Sequence, residues 1–332
     1  MHMADALVSA TVGAGFWGLS GGTLAGCSRR VRRSGDEGLV PLMGVLGAFV
    51  FAVQMVNFAI PGTGSSGHLV GGVLLAALLG PEAAVLVMGS VLLVQALFFA
   101  DGGLLAFGCN LFNMGILPAF VAYPLVFRPL ARRGHAGAAA LLGSLAALQL
   151  GALALTLETI LSGLTGLPFR AFLLAMLPIH LAIGLAEGLA TAAILRFAGK
   201  ARPSLLEERL QPARHRVLAS ILGLAVLTGG VLSWAASTRP DGLTWSVART
   251  APGGVTVPDG AVHRFVAGLQ RRTSILPEYG LPGAGEGGEA RRLGGTSLSG
   301  LLGGALTLGL VAGAGWLVVR RRRASRSAGS GA

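Results

Sequence analysis

A succession of apolar runs, bounded by arginines or by glycine-rich turns, is the feature that most restricts the fold of this sequence. A helix that crosses a lipid bilayer needs about 20 mostly apolar residues. The runs predict nine spans, at residues 5–27, 39–60, 67–80, 82–100, 104–127, 136–165, 169–198, 217–236 and 298–319. The chain is 53% hydrophobic and 12% charged, values typical of proteins that cross the membrane several times. We therefore expect an all-α polytopic membrane protein.

The positions of the arginines predict how these spans are oriented. Of the 26 lysines and arginines, 18 fall in four segments: residues 28–38, 128–135, 196–216 and 320–326. Cytoplasmic loops carry the excess of positive charge, so all four segments lie inside only if the N-terminus lies outside. The loop at 61–68 then also lies outside. Because the arginines flank apolar runs, the net charge of +12 indicates topology and not nucleic-acid binding.

The order of the runs divides the chain into four parts. We expect a membrane bundle of about seven helices over residues 1–200 and a two-span accessory unit over 217–320. The accessory unit carries an external loop at 237–297. A cytoplasmic linker at 201–216 joins the two units, and a basic cytoplasmic tail occupies 321–332.

The first two residues offer a metal ion a compact set of nitrogen ligands. The amine of Met1, the amide nitrogen of His2 and its imidazole close one five-membered and one six-membered chelate ring once the amide loses its proton. Ni²⁺ and Co²⁺ can drive that loss, and square geometry with nitrogen ligands suits Ni²⁺. One position in the plane stays open, and His68, at the end of a Gly/Ser-rich turn, is the candidate fourth ligand.

Small residues recur every four positions in the first span. Ala14, Gly18, Gly22 and Gly26 fall on one helix face, and small residues at this spacing let backbones approach closely in a membrane. This pattern predicts that the face packs inside the bundle.

Several polar residues lie near the proposed ligands or inside spans. Asp5, Asn57 and Ser66 are candidates to support His2 and His68 from a second layer. Asp101, which is followed by two glycines, is expected to form a turn. Interhelical hydrogen bonding is the expected role of Gln54, Gln95, Asn110 and Asn113. His135, His215 and His263 lie in charged loops, which predicts that they are solvated.

Two other interpretations follow from the residues. Glu158, His180 and Glu187 lie inside spans, where ionisable groups are costly, so they suggest a proton-coupled secondary transporter. The residues before Cys27 match a lipoprotein cleavage box, but no lysine or arginine precedes it and arginines follow it. The sequence lacks a phosphate-binding loop, a nucleophile elbow in a strand–helix context and a zinc-protease motif. If the protein moves a solute against a gradient, we therefore expect the energy to come from a partner or from an ion gradient.

Residues 1–200 resemble the cobalt/nickel substrate-binding components of energy-coupling factor transporters, the CbiM/NikM family. The resemblance is carried by residues 1–7 (MHMADAL), 40–44 (VPLMG), 60–68 (IPGTGSSGH), 95–103 (QALFFADGG), 108–113 (GCNLFN) and 184–191 (GLAEGLAT). It implies a seven-span bundle that takes up Ni²⁺ or Co²⁺ across the bacterial cytoplasmic membrane, with Met1, His2 and His68 as ligands. It also implies separate ATPase subunits and a transmembrane coupling subunit as partners.

Residues 217–319 resemble the small NikN-like accessory subunit, which carries a PDGLE domain. Pro240, Asp241, Gly242 and Leu243 match the start of that motif, but Thr244 replaces its glutamate. Pro277-Glu278-Tyr279 stands where Pro-Asp-Tyr is usual. The resemblance implies two spans around an external loop, with a role in loading the metal site.

Overall fold

The apolar runs fold into helices that pack side by side, so the all-α class is confirmed. The computed structural model describes residues 1–36, 38–164, 166–201, 214–251, 253, 255, 258–281 and 288–329. The helices are α1 (Ala10–Ser34), α2 (Leu39–Gln54), α3 (Gly72–Leu79), α4 (Pro81–Phe98), α5 (Phe107–Arg132), α6 (Ala136–Ser162), α7 (Phe169–Ala201), α8 (Arg214–Gly230), α9 (Gly242–Thr250), α10 (Ala261–Thr273) and α11 (Gly288–Gly329). Most of the predicted 201–216 linker and the last three residues of the tail lie outside the described residues.

Five helices of the described chain are long and apolar enough to cross a membrane. They lie at Pro81–Phe98, Phe107–Arg132, Ala136–Ser162, Phe169–Gly199 and Leu293–Gly315. Two shorter apolar helices, Leu39–Gln54 and Val217–Gly230, pack among them. The structure therefore supports a multi-pass membrane protein.

The first helix begins later than the sequence pattern predicts. The span was expected to start at residue 5, but α1 begins at Ala10 because the Ser9 hydroxyl accepts a hydrogen bond from the Val12 N–H (3.3 Å) and caps the helix. Residues 1–9 form a separate segment with one short 3₁₀ turn at Asp5–Leu7. Met1 and Met3 of this segment are buried, so the N-terminus enters the bundle.

The small residues of α1 do not pack inside the bundle, which corrects the prediction made for them. Ala14, Gly18 and Gly22 are exposed, and no other atom lies within 4 Å of the position that a Cβ would take at Gly18, Gly22 or Gly26. The opposite face of α1 is the buried one. There the close approach is provided by a glycine of the partner helix, Gly108 of α5, whose carbonyl accepts a hydrogen bond from the Ser20 hydroxyl (2.7 Å).

We expect substitution of Gly108 to destabilise the protein strongly. A methyl group at this position would overlap the backbone of Phe16 and Trp17, and backbone cannot move aside as a flexible side chain can. Gly108→Ala is expected to cost about 2–3 kcal/mol, whereas Gly18→Ala should be neutral or slightly stabilising. Thermal unfolding of the two variants in detergent measures the difference. Equal melting temperatures would contradict the assignment of the buried face.

Glycines of α11 pack against α8 and against α2. A Cβ at Gly300 of α11 would overlap the backbone of Gly229 of α8, and one at Gly303 would overlap the ring of Phe51. Small residues at a crossing let two helices approach closely in a membrane. The two units of the chain therefore share one continuous helical bundle.

A short β-hairpin precedes α3 and carries His68. Strands β1 (Phe58–Ala59) and β2 (Ser66–Gly67) pair antiparallel, and the turn between them uses Gly62 and Gly64 at φ of 76° and 77°, a conformation that favours glycine. The short helix predicted at 67–80 starts only at Gly72, after this hairpin.

A candidate metal centre at the buried N-terminus

The N-terminal segment is held in the bundle by backbone hydrogen bonds. The Asn110 side chain accepts from the Met3 N–H (2.7 Å) and donates to the Met3 carbonyl (3.1 Å). The Gly103 N–H donates to the same carbonyl (2.9 Å). A buried extended segment needs partners for its polar groups, and one amide side chain supplies both a donor and an acceptor. Asn110 therefore anchors the chain two residues away from Met1.

Asp5 supports this segment from the other side. Its carboxylate accepts a hydrogen bond from the Ala106 N–H (3.0 Å), just before α5 begins. Burial raises the pKa of Asp5 in spite of its bonds to backbone N–H groups. No hydrogen bond described for Asp5 involves either histidine, so it acts on the segment and not directly on the proposed ligands.

The structure brings together the three residues proposed as ligands: Met1, His2 and His68, which we call the N-terminal cluster. The Met1 nitrogen lies 3.4 Å from Nε2 of His68. The rings of His2 and His68 stack with their centroids 5.0 Å apart and their planes at 21°. Adjacent nitrogens around a planar ion lie about 2.8 Å apart when the metal–nitrogen bonds are about 2 Å. A closure of roughly half an ångström would bring the amine and His68 to that spacing.

Both imidazoles of the cluster are neutral at neutral pH. Burial and the neighbouring terminal ammonium lower the pKa of His2 to about 3, and burial, the ammonium and His2 lower the pKa of His68 to about 3. A neutral imidazole is the form that binds a metal. Protons therefore do not compete for these two rings near pH 7.

The donor set consists of nitrogens and not of acidic side chains. Within the described part of the chain, no group of three or more His, Cys, Asp or Glu side chains is placed to hold a metal ion. The cluster instead combines two imidazoles with the amine of Met1 and the backbone nitrogen of His2. Such a set fits Ni²⁺ or Co²⁺ better than the oxygen-seeking Mg²⁺ or Ca²⁺.

Two carboxylates stand beside the cluster. Asp101 Oδ1 lies 3.4 Å from Nδ1 of His2, and Asp241 Oδ2 lies 3.9 Å from the Met1 nitrogen. Asp101 also accepts a hydrogen bond from the Tyr279 hydroxyl (2.5 Å). The turn role predicted for Asp101 is therefore incomplete, because its side chain links the cluster to the accessory unit.

The loop that follows α8 in the accessory unit covers the cluster. The Ser66 N–H donates to the Pro240 carbonyl (2.8 Å), and Ser66 forms a parallel bridge with Asp241. The Ser66 hydroxyl donates to the Arg239 carbonyl (2.8 Å), and the Asn57 carbonyl accepts from the Ser237 N–H (2.7 Å). Ser66 and Asn57 were predicted to support the histidines. They hold this loop instead, and the Asn57 side-chain oxygen has no hydrogen-bond partner among the described residues.

Two further contacts of the same loop reach the N-terminal segment and its neighbours. His263, which was predicted to be solvated, is buried and its Nε2 bonds to the Val8 carbonyl (2.9 Å). Gln270 donates to the carbonyls of Ala96 and Gly102 (2.9 and 2.8 Å). The loop thus contacts the N-terminal segment, the end of α4 and the turn that follows α4.

The start of the PDGLE-like motif has a local structural role. Asp241 caps α9, because its Oδ1 accepts a hydrogen bond from the Thr244 N–H (2.8 Å). A glutamate at position 244 would complete a capping box, because its side chain would accept a hydrogen bond from the Asp241 N–H. With Thr244 in its place the capping box is incomplete. Burial opposes ionisation of Asp241, but the terminal ammonium and Thr244 outweigh it and lower its pKa.

The three residues of the proton-transfer interpretation do not form a chain. Both oxygens of Glu187 accept backbone hydrogen bonds, from the N–H groups of Val70 (2.7 Å) and Gly71 (3.1 Å). His180 Nδ1 bonds to the Met176 carbonyl, and Glu158 accepts from Asn113. Glu187 therefore holds the backbone between His68 and the start of α3.

We expect Glu187→Gln to weaken metal binding. A glutamine turns one N–H group toward a backbone donor, so one of the two bonds that hold the His68 loop is lost. Affinity for nickel in detergent should fall by about 10-fold, with Glu158→Gln as a buried control that should bind as the unmodified protein does. A residue that only relayed protons would leave affinity unchanged where no gradient exists.

Several residues of the site were missed as site residues from sequence. Gln54, Gln95 and Asn110 were expected only to join helices, although Gln95 contacts His2 directly (3.0 Å). The usable signal was their position, since Gln54 and Gln95 each lie in the last turn of a helix that ends on the side of the His68 loop.

Comparison with known proteins gives matches for both units. Residues 2–205 match the family model described as the cobalt uptake substrate-specific transmembrane region, CbiM, and residues 215–320 match the PDGLE domain. A putative fused nickel transport protein NikMN of Archaeoglobus fulgidus is 35% identical over 229 residues, which cover 68% of this chain and 76% of that protein. The fused nickel transport protein NikMN of Rhodobacter capsulatus is 33% identical over 279 residues, 76% of this chain and 80% of that protein.

A solved structure has the same fold over part of this chain. The crystal structure of a truncated transition metal transporter superposes with a TM-score of 0.55 and 29% identity, covering 60% of this chain and 99% of that one.

Proposed function

Because the chain belongs to the CbiM family of cobalt-uptake transmembrane regions, with a PDGLE domain fused behind it, we propose that it captures Ni²⁺ or Co²⁺ for uptake across the cytoplasmic membrane. The observation that carries the proposal is the placement of the Met1 amine 3.4 Å from Nε2 of His68, whose ring stacks on that of His2. The ligands are the amine of Met1, the amide nitrogen and Nδ1 of His2, and Nε2 of His68.

Uptake proceeds from outside to inside. The N-terminus and the hairpin lie on the outer face, as the arginine clusters indicate, and the ion enters there. Residues 1–200 hold it, the linker at 201–216 and the basic tail at 321–332 lie in the cytoplasm, and the accessory unit at 217–320 covers the site from outside. The names of the relatives, fused nickel transport proteins, support this division.

The chain itself is a transport subunit and not an enzyme. ATP hydrolysis takes place on separate ATPase subunits, and a transmembrane coupling subunit transmits it. This assignment is supported by the family and by the absence of a phosphate-binding loop from the sequence. The proton-coupled alternative is not favoured, since Glu187 and Glu158 are engaged in holding the loop and a neighbouring helix.

The test is uptake of radiolabelled nickel and cobalt by cells that express the chain with its ATPase and coupling subunits. His68→Ala is expected to reduce uptake to the background of cells without the chain, and His135→Ala, an exposed histidine far along the sequence, to leave it unchanged. Uptake that survives His68→Ala, or that needs a proton gradient but no ATPase partner, would overturn the proposal.

A further inference from the structure

A chain of buried amides connects His2 to the backbone beside His68. Nε2 of His2 lies 3.0 Å from Oε1 of Gln95, the Gln95 amide nitrogen donates to Oε1 of Gln54 (2.8 Å), and the Gln54 amide nitrogen donates to the Val70 carbonyl (2.8 Å). Gln54 and Gln95 are 4% and 0% exposed, so water does not offer them other partners.

The Val70 carbonyl, at the end of this chain of amides, fixes the direction of every hydrogen bond in it. A backbone carbonyl only accepts, so Gln54 must turn its NH₂ group toward Val70. Its oxygen then faces Gln95, which must donate, and the Gln95 oxygen is left facing His2. That oxygen accepts a hydrogen bond only if Nε2 of His2 carries the proton.

The consequence concerns the nitrogen that binds the metal. A neutral imidazole carries one proton, so a proton on Nε2 leaves the lone pair on Nδ1, the nitrogen that closes the six-membered ring with the His2 amide. His68 is set in the complementary way. Its Nδ1 faces the Leu69 carbonyl (3.2 Å), which leaves the lone pair on Nε2, toward Met1.

One neighbour opposes this arrangement. Asp101 Oδ1 lies 3.4 Å from Nδ1 of His2 and would favour a proton there. Its contact is longer than the 3.0 Å bond to Gln95, and the Tyr279 hydroxyl already donates to the other oxygen of Asp101. The amide chain and Asp101 therefore compete for the tautomer of His2.

We propose that Gln54 and Gln95 are positioning residues that fix His2 as its Nε2–H tautomer and thereby prepare Nδ1 to bind the ion. The inference rests on the proposed function in taking His2 as a ligand. The same two side chains join both parts of the N-terminal cluster, because Val70, two residues after His68, ends the chain of amides.

The tautomer is measured directly in metal-free protein. The ¹⁵N spectrum of histidine-labelled protein in nanodiscs at neutral pH, with the His2 signals assigned by loss in His2→Ala, should show Nε2 protonated and Nδ1 bare. In Gln54→Leu the Gln95 amide loses the acceptor that orients it, and we expect a mixture that includes Nδ1–H. A proton on Nδ1 in the unmodified protein, or a tautomer that does not change in Gln54→Leu, would overturn the proposal.

Nickel affinity provides a second readout. Gln95→Leu removes the acceptor and should lower affinity by about 10–100-fold, while Gln95→Glu keeps an acceptor and should retain most of it. Gln149→Leu is the matched control, since Gln149 is a helical glutamine that bonds to the Leu177 carbonyl in another part of the bundle. Equal losses in Gln95→Leu and Gln95→Glu would reduce the residue to a packing role and overturn the proposal.

The two experiments separate this inference from the function on which it rests. An Nε2–H tautomer in protein that binds no nickel or cobalt would sink the metal-capture function and leave the amide chain as a structural device. Metal binding in protein whose His2 carries its proton on Nδ1 would support the metal-capture function and overturn the role proposed for the amide chain.

Discussion

A few residues added before Met1 are expected to abolish nickel and cobalt binding although every side chain of the protein is retained. The addition converts the terminal amine into an amide, which removes the ligand that closes the five-membered chelate ring with the His2 amide. It also requires space that the structure does not offer, because Met1 is only 5% exposed and its methyl group lies against Gly151. We expect affinity to fall by more than about 1,000-fold, equivalent to about 4 kcal/mol.

Calorimetric titration with each metal measures this loss. The same residues added after Ala332 provide the control, and a cleavable extension tests reversal, since removal of the extension should restore binding to the same sample. Equal affinities with and without the N-terminal extension would show that the amine is not a ligand, and His68 would then need other partners.

Gly103→Ala is the substitution outside the cluster with the largest expected effect on binding. A methyl group at this position would overlap both the carboxylate and the backbone nitrogen of Asp5. The N-terminal segment must then leave its groove, and it takes Met1 and His2 with it. We expect affinity for nickel to fall by about 100-fold or more, at a smaller cost in stability than the Gly108→Ala variant.

Hydrogen exchange of the amides of residues 3–8 reports the displacement directly. Those amides should exchange faster in Gly103→Ala, while Gly15→Ala, at a glycine of α1 with open space around it, should leave both exchange and affinity unchanged. Normal affinity together with protected amides in Gly103→Ala would contradict the described path of the N-terminal segment.

The chemistry of the proposed ligands could be predicted from sequence, but their supports could not. A histidine at position 2 has a distinctive set of nitrogens, and arginine counts place it on the same side of the membrane as His68. The sequence around Gln95 does not reveal its role, because an amide inside an apolar helix can form a hydrogen bond at any contact between helices. Its role depends on Gln54 and the Val70 carbonyl, which are distant in sequence and meet only in the folded chain.

The packing of α1 was predicted wrongly for a related reason. A stripe of small residues shows that a close approach is possible, but not which of two helices provides the space. In this bundle Gly108 of α5 provides it, and the backbone of Phe16 and Trp17 occupies it. The spacing of Ala14, Gly18, Gly22 and Gly26 holds no information about that neighbour.

Burial of the first residue makes the bound ion, as proposed, a reversible cross-link. Met1 and His68 are 67 positions apart in the chain, and a covalent bridge over a loop of that size stabilises a fold by about 4 kcal/mol in the chain-entropy treatment. Each round of delivery must open this cross-link, and each capture must close it again. On the proposed function, part of the work from the partner subunits serves to free the end of the polypeptide, so the transported ion also stabilises the fold of the protein that carries it.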